Sequence, residues 1–417
     1  MTARHRTPVP LFADGLAAHL DVAAFLYELR WIAPAWPGRA WEEAAALERR
    51  MDLHLDALAL TGRAGFELLA GGLTAEGEPG HAFVAARVAL RLPAVAPKEA
   101  VADALAGPAP EQEALVDALR WEATPEADGW VAHLLDDARP RVRQASLRAA
   151  TLRPSLAARV QALCADPDAL VALEAQRTLA LLKPGGAAPA GLERHLDAAA
   201  PGASALALEL LLRAGRSAPA VAFCQKLPAD APRSLRALAL DVLALAGGPS
   251  ALPAIRGWMA SDGALRGPGW IALGVVGDRA ALAAMLERLD RPWAPEDWRE
   301  LEGLFRAASL VTGNALEPAI DLDEAKPAEV AELRARAHAA WDPTLARAEE
   351  RRYRRGEELG PAVLARDLAG PGHPRRDLCA LELAGRFGCP VAFEPRAPYA
   401  VQAEAARAIA VWAASRP

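Results

Sequence analysis

The chain has 417 residues, 53% of them hydrophobic and most of that excess alanine, with 11 Trp, 8 Phe and only 3 Tyr; 47 basic and 53 acidic residues leave a net charge of −6. Alanine and leucine suit close helix-on-helix packing far better than a pleated sheet, which favours β-branched and aromatic side chains. The acidic balance argues against nucleic acid as partner, since duplex binding draws most of its affinity from neutralising phosphates. Cys164, Cys224, Cys379 and Cys389 are far apart with no Cys-x-x-Cys, which fits neither a disulfide framework nor a zinc site, so small buried thiols are expected.

Met1 to Pro10 is polar and lacks the apolar core of a signal peptide, and no window reaches the ~18 uncharged apolar residues of a membrane span. The expectation is a cytoplasmic protein with no membrane partner. Residues 1–100 read as an N-terminal helical block. Leu16, Leu20, Ala23 and Ala24 mark one amphipathic helix; Ala44, Leu47, Met51, Leu55 and Leu58 mark a second. His-Leu-Asp occurs at His19–Asp21, His54–Asp56 and His195–Asp197, but no His-x-x-x-His spacing accompanies it, so no metal is expected. Gly71-Gly72 and the stretch Thr74 to Gly80 are helix stops without the pattern of a phosphate loop, and a further helix runs from about His81 to Leu92.

Residues 101–313 read as a repeat array. Leu134, Asp137, Val142 and Leu152 recur 29 residues later as Leu163, Asp166, Val171 and Leu181. Each copy is a short helix, a break bearing Asp and Pro, and a second helix whose small or apolar residues fall at helical spacing (Val142, Ala145, Ala149 and Leu152, then Val171, Ala175, Thr178 and Leu182). One such hairpin cannot bury its apolar side alone, so neighbours must stack, and Leu163 is expected to be buried between them. The aspartates Asp137, Asp166, Asp197, Asp230, Asp262 and Asp290 carry the period onward at separations of 29, 31, 33, 32 and 28 residues. Second helices stop at Pro154, Pro184, Gly215, Gly247, Gly277 and Gly313.

Asp137 with Val142-Arg143, Asp230 with Leu235-Arg236, and Asp262 with Leu265-Arg266 resemble the HEAT-repeat class in its short bacterial form. The resemblance implies an all-α fold, a right-handed α-solenoid of helical hairpins with helical N- and C-terminal caps, in which Asp and Arg of successive hairpins pair. Ala172 stands where the second copy should carry its arginine, so a continuous ladder is not expected.

Residues 314–417 read as a C-terminal helical region. Glu317, Asp321, Asp323 and Glu324 form an acidic loop without the glycine and distal glutamate of a calcium site. Arg351, Arg352, Tyr353, Arg354 and Arg355 form a basic run whose neighbouring glutamates fit a solvated helix with i, i+4 pairs. The same guanidinium groups could instead grip an acidic partner. Helices follow at Leu359 to Leu368, Asp377 to Phe387 and Val401 to Ala414, with a Pro-rich connector from Cys389 to Tyr399.

No nucleophile elbow, nucleotide loop or metal spacing is present, and the chain is read as a non-enzyme without a cofactor. Stacked hairpins suit a protein partner. Trp and Arg are the common anchors of such interfaces, which selects Trp293, Trp298, Arg351, Arg352, Tyr353, Arg354 and Arg355 as partner-binding candidates. Trp31, Trp36, Trp41, Trp258 and Trp270 read individually as core.

His19-Leu-Asp-Val-Ala-Ala-Phe-Leu26, Arg49 to Leu58, Gly277-Asp278, Leu310-Val-Thr-Gly313, and Leu381-Glu-Leu-Ala384 with Phe393-Glu394 together resemble an uncharacterised proteobacterial family found near type VI secretion genes. That resemblance implies an immunity protein, adaptor or chaperone that binds an effector toxin or a secretion component. Two other readings stay open: a HEAT-like nucleic-acid-binding protein of the alkylpurine glycosylase kind, and a HEAT-like lyase subunit such as those acting on bilins.

Overall fold

Apart from one short β-hairpin, the described residues form helices and their connections, as the alanine- and leucine-rich composition dictates. The computed structural model describes residues 13–32, 41–73, 78–92, 98–107, 109–186, 189–292, 297–313, 327–347, 351–370 and 375–416. They divide into two compact units. The first comprises Met1–Gly186, Ala369–Pro374 and Val391–Arg407; the second comprises Ala187–Leu368, Arg375–Pro390 and Ala408–Pro417.

In the first unit the two predicted N-terminal helices are Ala13–Ile32 and Trp41–Leu60. Ala23, Ala24, Ala44, Met51, Leu55 and Leu58 are buried as their spacing requires, while Leu16, Leu20 and Leu47 pack at the core's edge. A deeper polar cluster holds the Pro-rich connector. Asp117, fully buried, accepts hydrogen bonds from the Tyr27 hydroxyl at 2.9 Å, Arg120 at 2.6 Å and Arg396 at 3.1 and 2.6 Å. Beside it the Arg30 guanidinium lies 4.1 Å from the Trp121 ring centroid and 4.6 Å from those of Trp31 and Tyr399, and it donates to Glu48. Burial pushes the Glu48 carboxyl above the usual carboxylate range, and Arg30 opposes that shift.

The repeated stretch folds as two helix pairs, Pro125–Leu134 with Pro140–Ala149 and Ala157–Leu163 with Ala169–Leu182. Four of the six recurring aspartates share a local task, while Asp290 is the last residue of the helix Arg279–Asp290. Asp137 accepts from the backbone N–H of Arg139, Asp166 from Asp168, Asp197 from Ala199 and Asp262 from Ala264, at 2.8–3.0 Å. Each closes an Asx-turn, the short-range bond that lets aspartate end one helix and aim the next. The second-helix positions Val142, Ala145, Ala149, Val171, Ala175 and Thr178 are fully enclosed, whereas Leu182 and Leu152, the latter in the 3-10 turn Ala150–Leu152, are half-buried. Leu163 is only half-buried, packed at the edge of the core, so Leu163→Ala removes fewer contacts than truncating an enclosed leucine.

In the second unit the helices Arg266–Val276 and Trp298–Thr312 end at Gly277 and Gly313, both left-handed, where the spacing placed their stops. A closer approach occurs where the helix Arg376–Phe387 crosses Pro201–Arg213. A Cβ on Gly385 would lie 1.9 Å from the Leu212 carbonyl oxygen, a backbone atom that cannot swing aside. Gly385→Ala is therefore expected to lower stability by about 2–3 kcal/mol. Urea unfolding checks this: a loss under about 0.5 kcal/mol would show that the crossing is looser than described.

The expected basic helix at Arg351–Arg355 is instead a hairpin. Tyr353–Arg354 pairs antiparallel with Glu357–Glu358, joined through Arg355 and Gly356. Both turn residues have positive φ, 51° and 74°, as the two-residue turn matching strand twist requires. Arg355 tolerates that conformation because its surroundings fix it: its N–H donates to the Leu310 carbonyl, and its guanidinium holds Asp367. The acidic stretch Glu317 to Lys326 lies outside the described residues.

Candidate functional site

The hairpin's arginines point largely inward. Arg352 donates from Nε to the Val276 carbonyl (2.9 Å), from Nη1 to Leu245 (3.1 Å) and the Glu382 carboxylate (2.6 Å), and from Nη2 to Val275 (2.7 Å) and Ala244 (3.3 Å). Those carbonyls belong to the last turn of Arg266–Val276 and to the π-turn Leu243–Gly247, which continues the helix Arg233–Val242. Helix ends expose carbonyls with no partner of their own and a partial negative charge, so one planar guanidinium closes two of them at once. Burial draws the Arg352 guanidinium below its ordinary value, and Glu382 opposes this.

Arg354 is the most enclosed of the run at 1% exposure. It bonds the Val275 carbonyl at 3.1 Å and lies 3.9 Å from both Glu382 and Asp367. Asp367, also buried, takes the Arg355 guanidinium; burial pushes its carboxyl up, and the arginines beside it pull the other way. Arg351 stays outside and pairs with the exposed Glu358 at 2.6 Å.

Beside the hairpin is a cavity of about 650 Å³. Arg351, Arg352, Arg386, Glu358 and Glu382 form its charged side, and leucines, several glycines, Ala246 and Ser217 form the rest. Arg386, half exposed, sits 3.6 Å from Glu382. A volume in this range suits a small organic molecule.

Of the predicted residues, Arg351, Arg352, Tyr353, Arg354 and Arg355 therefore come together, but as one hairpin with Arg352 and Arg354 turned inward. Tyr353 is half-buried in its strand, and its N–H donates to the Gly277 carbonyl at 2.8 Å. Trp298 is half-buried at the start of its helix under the Arg299 guanidinium, outside this site. Trp293 and Trp36 lie outside the described residues; Trp258 and Trp270 are buried. Sequence reasoning missed Glu382 and Asp367, the carboxylates that answer the basic run, and Arg386, a further guanidinium on the cavity wall. A faint signal existed: Gly277-Asp278, Leu310 to Gly313 and Leu381 to Ala384 all abut the hairpin in the second unit.

His19 and His54, from two of the repeated tripeptides, face each other with Nδ1 atoms 2.7 Å apart. Among the described residues no three His, Cys, Asp or Glu side chains converge to hold a metal ion, and no helix is long and apolar enough to cross a membrane. Cys224, Cys379 and Cys389 are buried and Cys164 half-buried; burial pushes the Cys224 thiol up to about 12. Comparison with known protein families, with curated proteins and with solved structures gives no match for this chain.

Proposed function

We propose that the chain is a non-enzymatic scaffold of stacked HEAT-like hairpins, right-handed in its winding, that holds a protein partner in the cytoplasm. In the setting that the resemblance to the type VI secretion-associated family implies, it serves as immunity protein or adaptor for an effector or its loading machinery. The observation that carries the scaffold reading is one bond made twice along the array. Arg143 grips Asp166 of the next hairpin through two hydrogen bonds of 2.9 Å, and Arg236 reaches Asp262 at 2.9 Å. Other cross-helix bonds join residues about one repeat length apart: Arg120 to Thr151 and Thr178 to the Leu147 carbonyl, each 31 residues apart, and Trp270 to Glu300 at 30. Such a period is what a stack of like hairpins produces.

Large apolar side chains in water also favour a protein partner. Phe25, Leu53 and Leu60 on the first two helices are 60%, 69% and 88% exposed. The nucleic-acid reading has less support, because Arg352 and Arg354 are spent on carbonyls and carboxylates and cannot track a phosphate backbone. Co-expression with the products of adjacent secretion genes, followed by size-exclusion chromatography, tests the proposal. The expected result is one stoichiometric complex. Separate elution of the chain from every such product at micromolar concentration would contradict it.

A further inference from the structure

Five arginines, Arg351, Arg352, Arg354, Arg355 and Arg386, gather with Glu358, Glu382 and Asp367 in a chain that is acidic as a whole. Arg352, Arg354 and Arg355 are committed to helix-end carbonyls and to Glu382 and Asp367. Arg351 and Arg386 are the guanidinium groups that the cavity lining presents to solvent, their side chains 59% and 47% exposed. Arg351 meets an equally exposed glutamate, Glu358, in a pair that solvent screens. Arg386 reaches a carboxylate that Arg352 already holds at 2.6 Å. The opposite character comes from Leu212, Leu245, Leu359 and Leu381, which give the cavity an apolar wall. Ser217, the first residue of the helix Ser217–Gln225, also lines it and adds the positive end of a helix to the same enclosure.

We infer that this cavity is a binding site for a small amphipathic organic anion, its phosphate or carboxylate head taken by Arg386 and Arg351 and its apolar body by the four leucines. Guanidinium forks match both head groups, and the volume admits a body of several carbons. The inference rests on the cavity and not on the protein-binding proposal, and either can fail without the other.

Calorimetric titration of the full chain with hexyl phosphate, hexanoate, inorganic phosphate and hexanol tests it. Hexyl phosphate or hexanoate is expected to bind saturably at one site, with inorganic phosphate and hexanol each at least about tenfold weaker. Arg386→Gln should weaken the favoured probe by about tenfold or more while leaving the urea midpoint in place, since Glu382 keeps Arg352. Arg351→Gln gives a second, independent reading of the head-group contact. Absence of saturable binding by both amphipathic anions would overturn the inference. So would equal affinity for inorganic phosphate, or unchanged affinity in both arginine variants.

Discussion

Arg352→Met is expected to lower the stability of the protein by about 3–5 kcal/mol, the cost of removing one partner from a buried charged network. The substitution keeps most of the stem and deletes every donor. Four helix-end carbonyls and the buried Glu382 carboxylate lose their shared partner at once. Glu382→Gln in the same background should return part of the loss, because the stranded charge is then gone. Urea unfolding of the single and double variants checks both statements. A partner-binding arginine, which the sequence suggested, would behave in the opposite way: stability unchanged, complex lost. A loss below about 1 kcal/mol would restore that reading.

Asp117→Asn carries an expected penalty of similar size, about 3–5 kcal/mol, for a different reason. Asp117 is fully buried, and its one negative charge serves Arg120 and Arg396 together. The amide keeps the shape and one acceptor but takes the shared counter-charge from Arg120 and leaves Arg396 only the more distant Glu113, 3.8 Å away. Tyr27→Phe removes only the hydroxyl bond to the same carboxylate and should cost about 1 kcal/mol. Equal effects of the two substitutions would mean that charge is not what holds the connector segment around Arg396.

These two residues also mark the limit of sequence reading. The helices around Asp137 and Asp166 were legible because each aspartate acts on its own turn, two residues away, and the second-helix periodicity needs only the next hairpin. The helix ends at Gly277 and Gly313 were legible for the same local reason. Asp117 gives no such sign: on the helix Ala109–Trp121 it looks like any polar position, and Arg396 is 279 residues off. The basic run was misread because its alternating Arg and Glu satisfy helical pairing rules. What decides its form is the Arg355-Gly356 turn together with carbonyls 76 to 108 residues earlier in the chain. Leu163 shows the same limit on a smaller scale, since periodicity gives the side of a helix that faces inward but not how far a neighbour covers it.

The basic hairpin is built into the second unit as a brace, and hydrogen exchange read by mass spectrometry tests this most directly. The N–H groups of Tyr353, Arg355 and Gly356 donate to the carbonyls of Gly277, Leu310 and Val311. Peptides covering 351–359 should therefore exchange slowly and open together with the helices Arg266–Val276 and Trp298–Thr312. Full exchange of those peptides within seconds, while both helices stay protected, would contradict it.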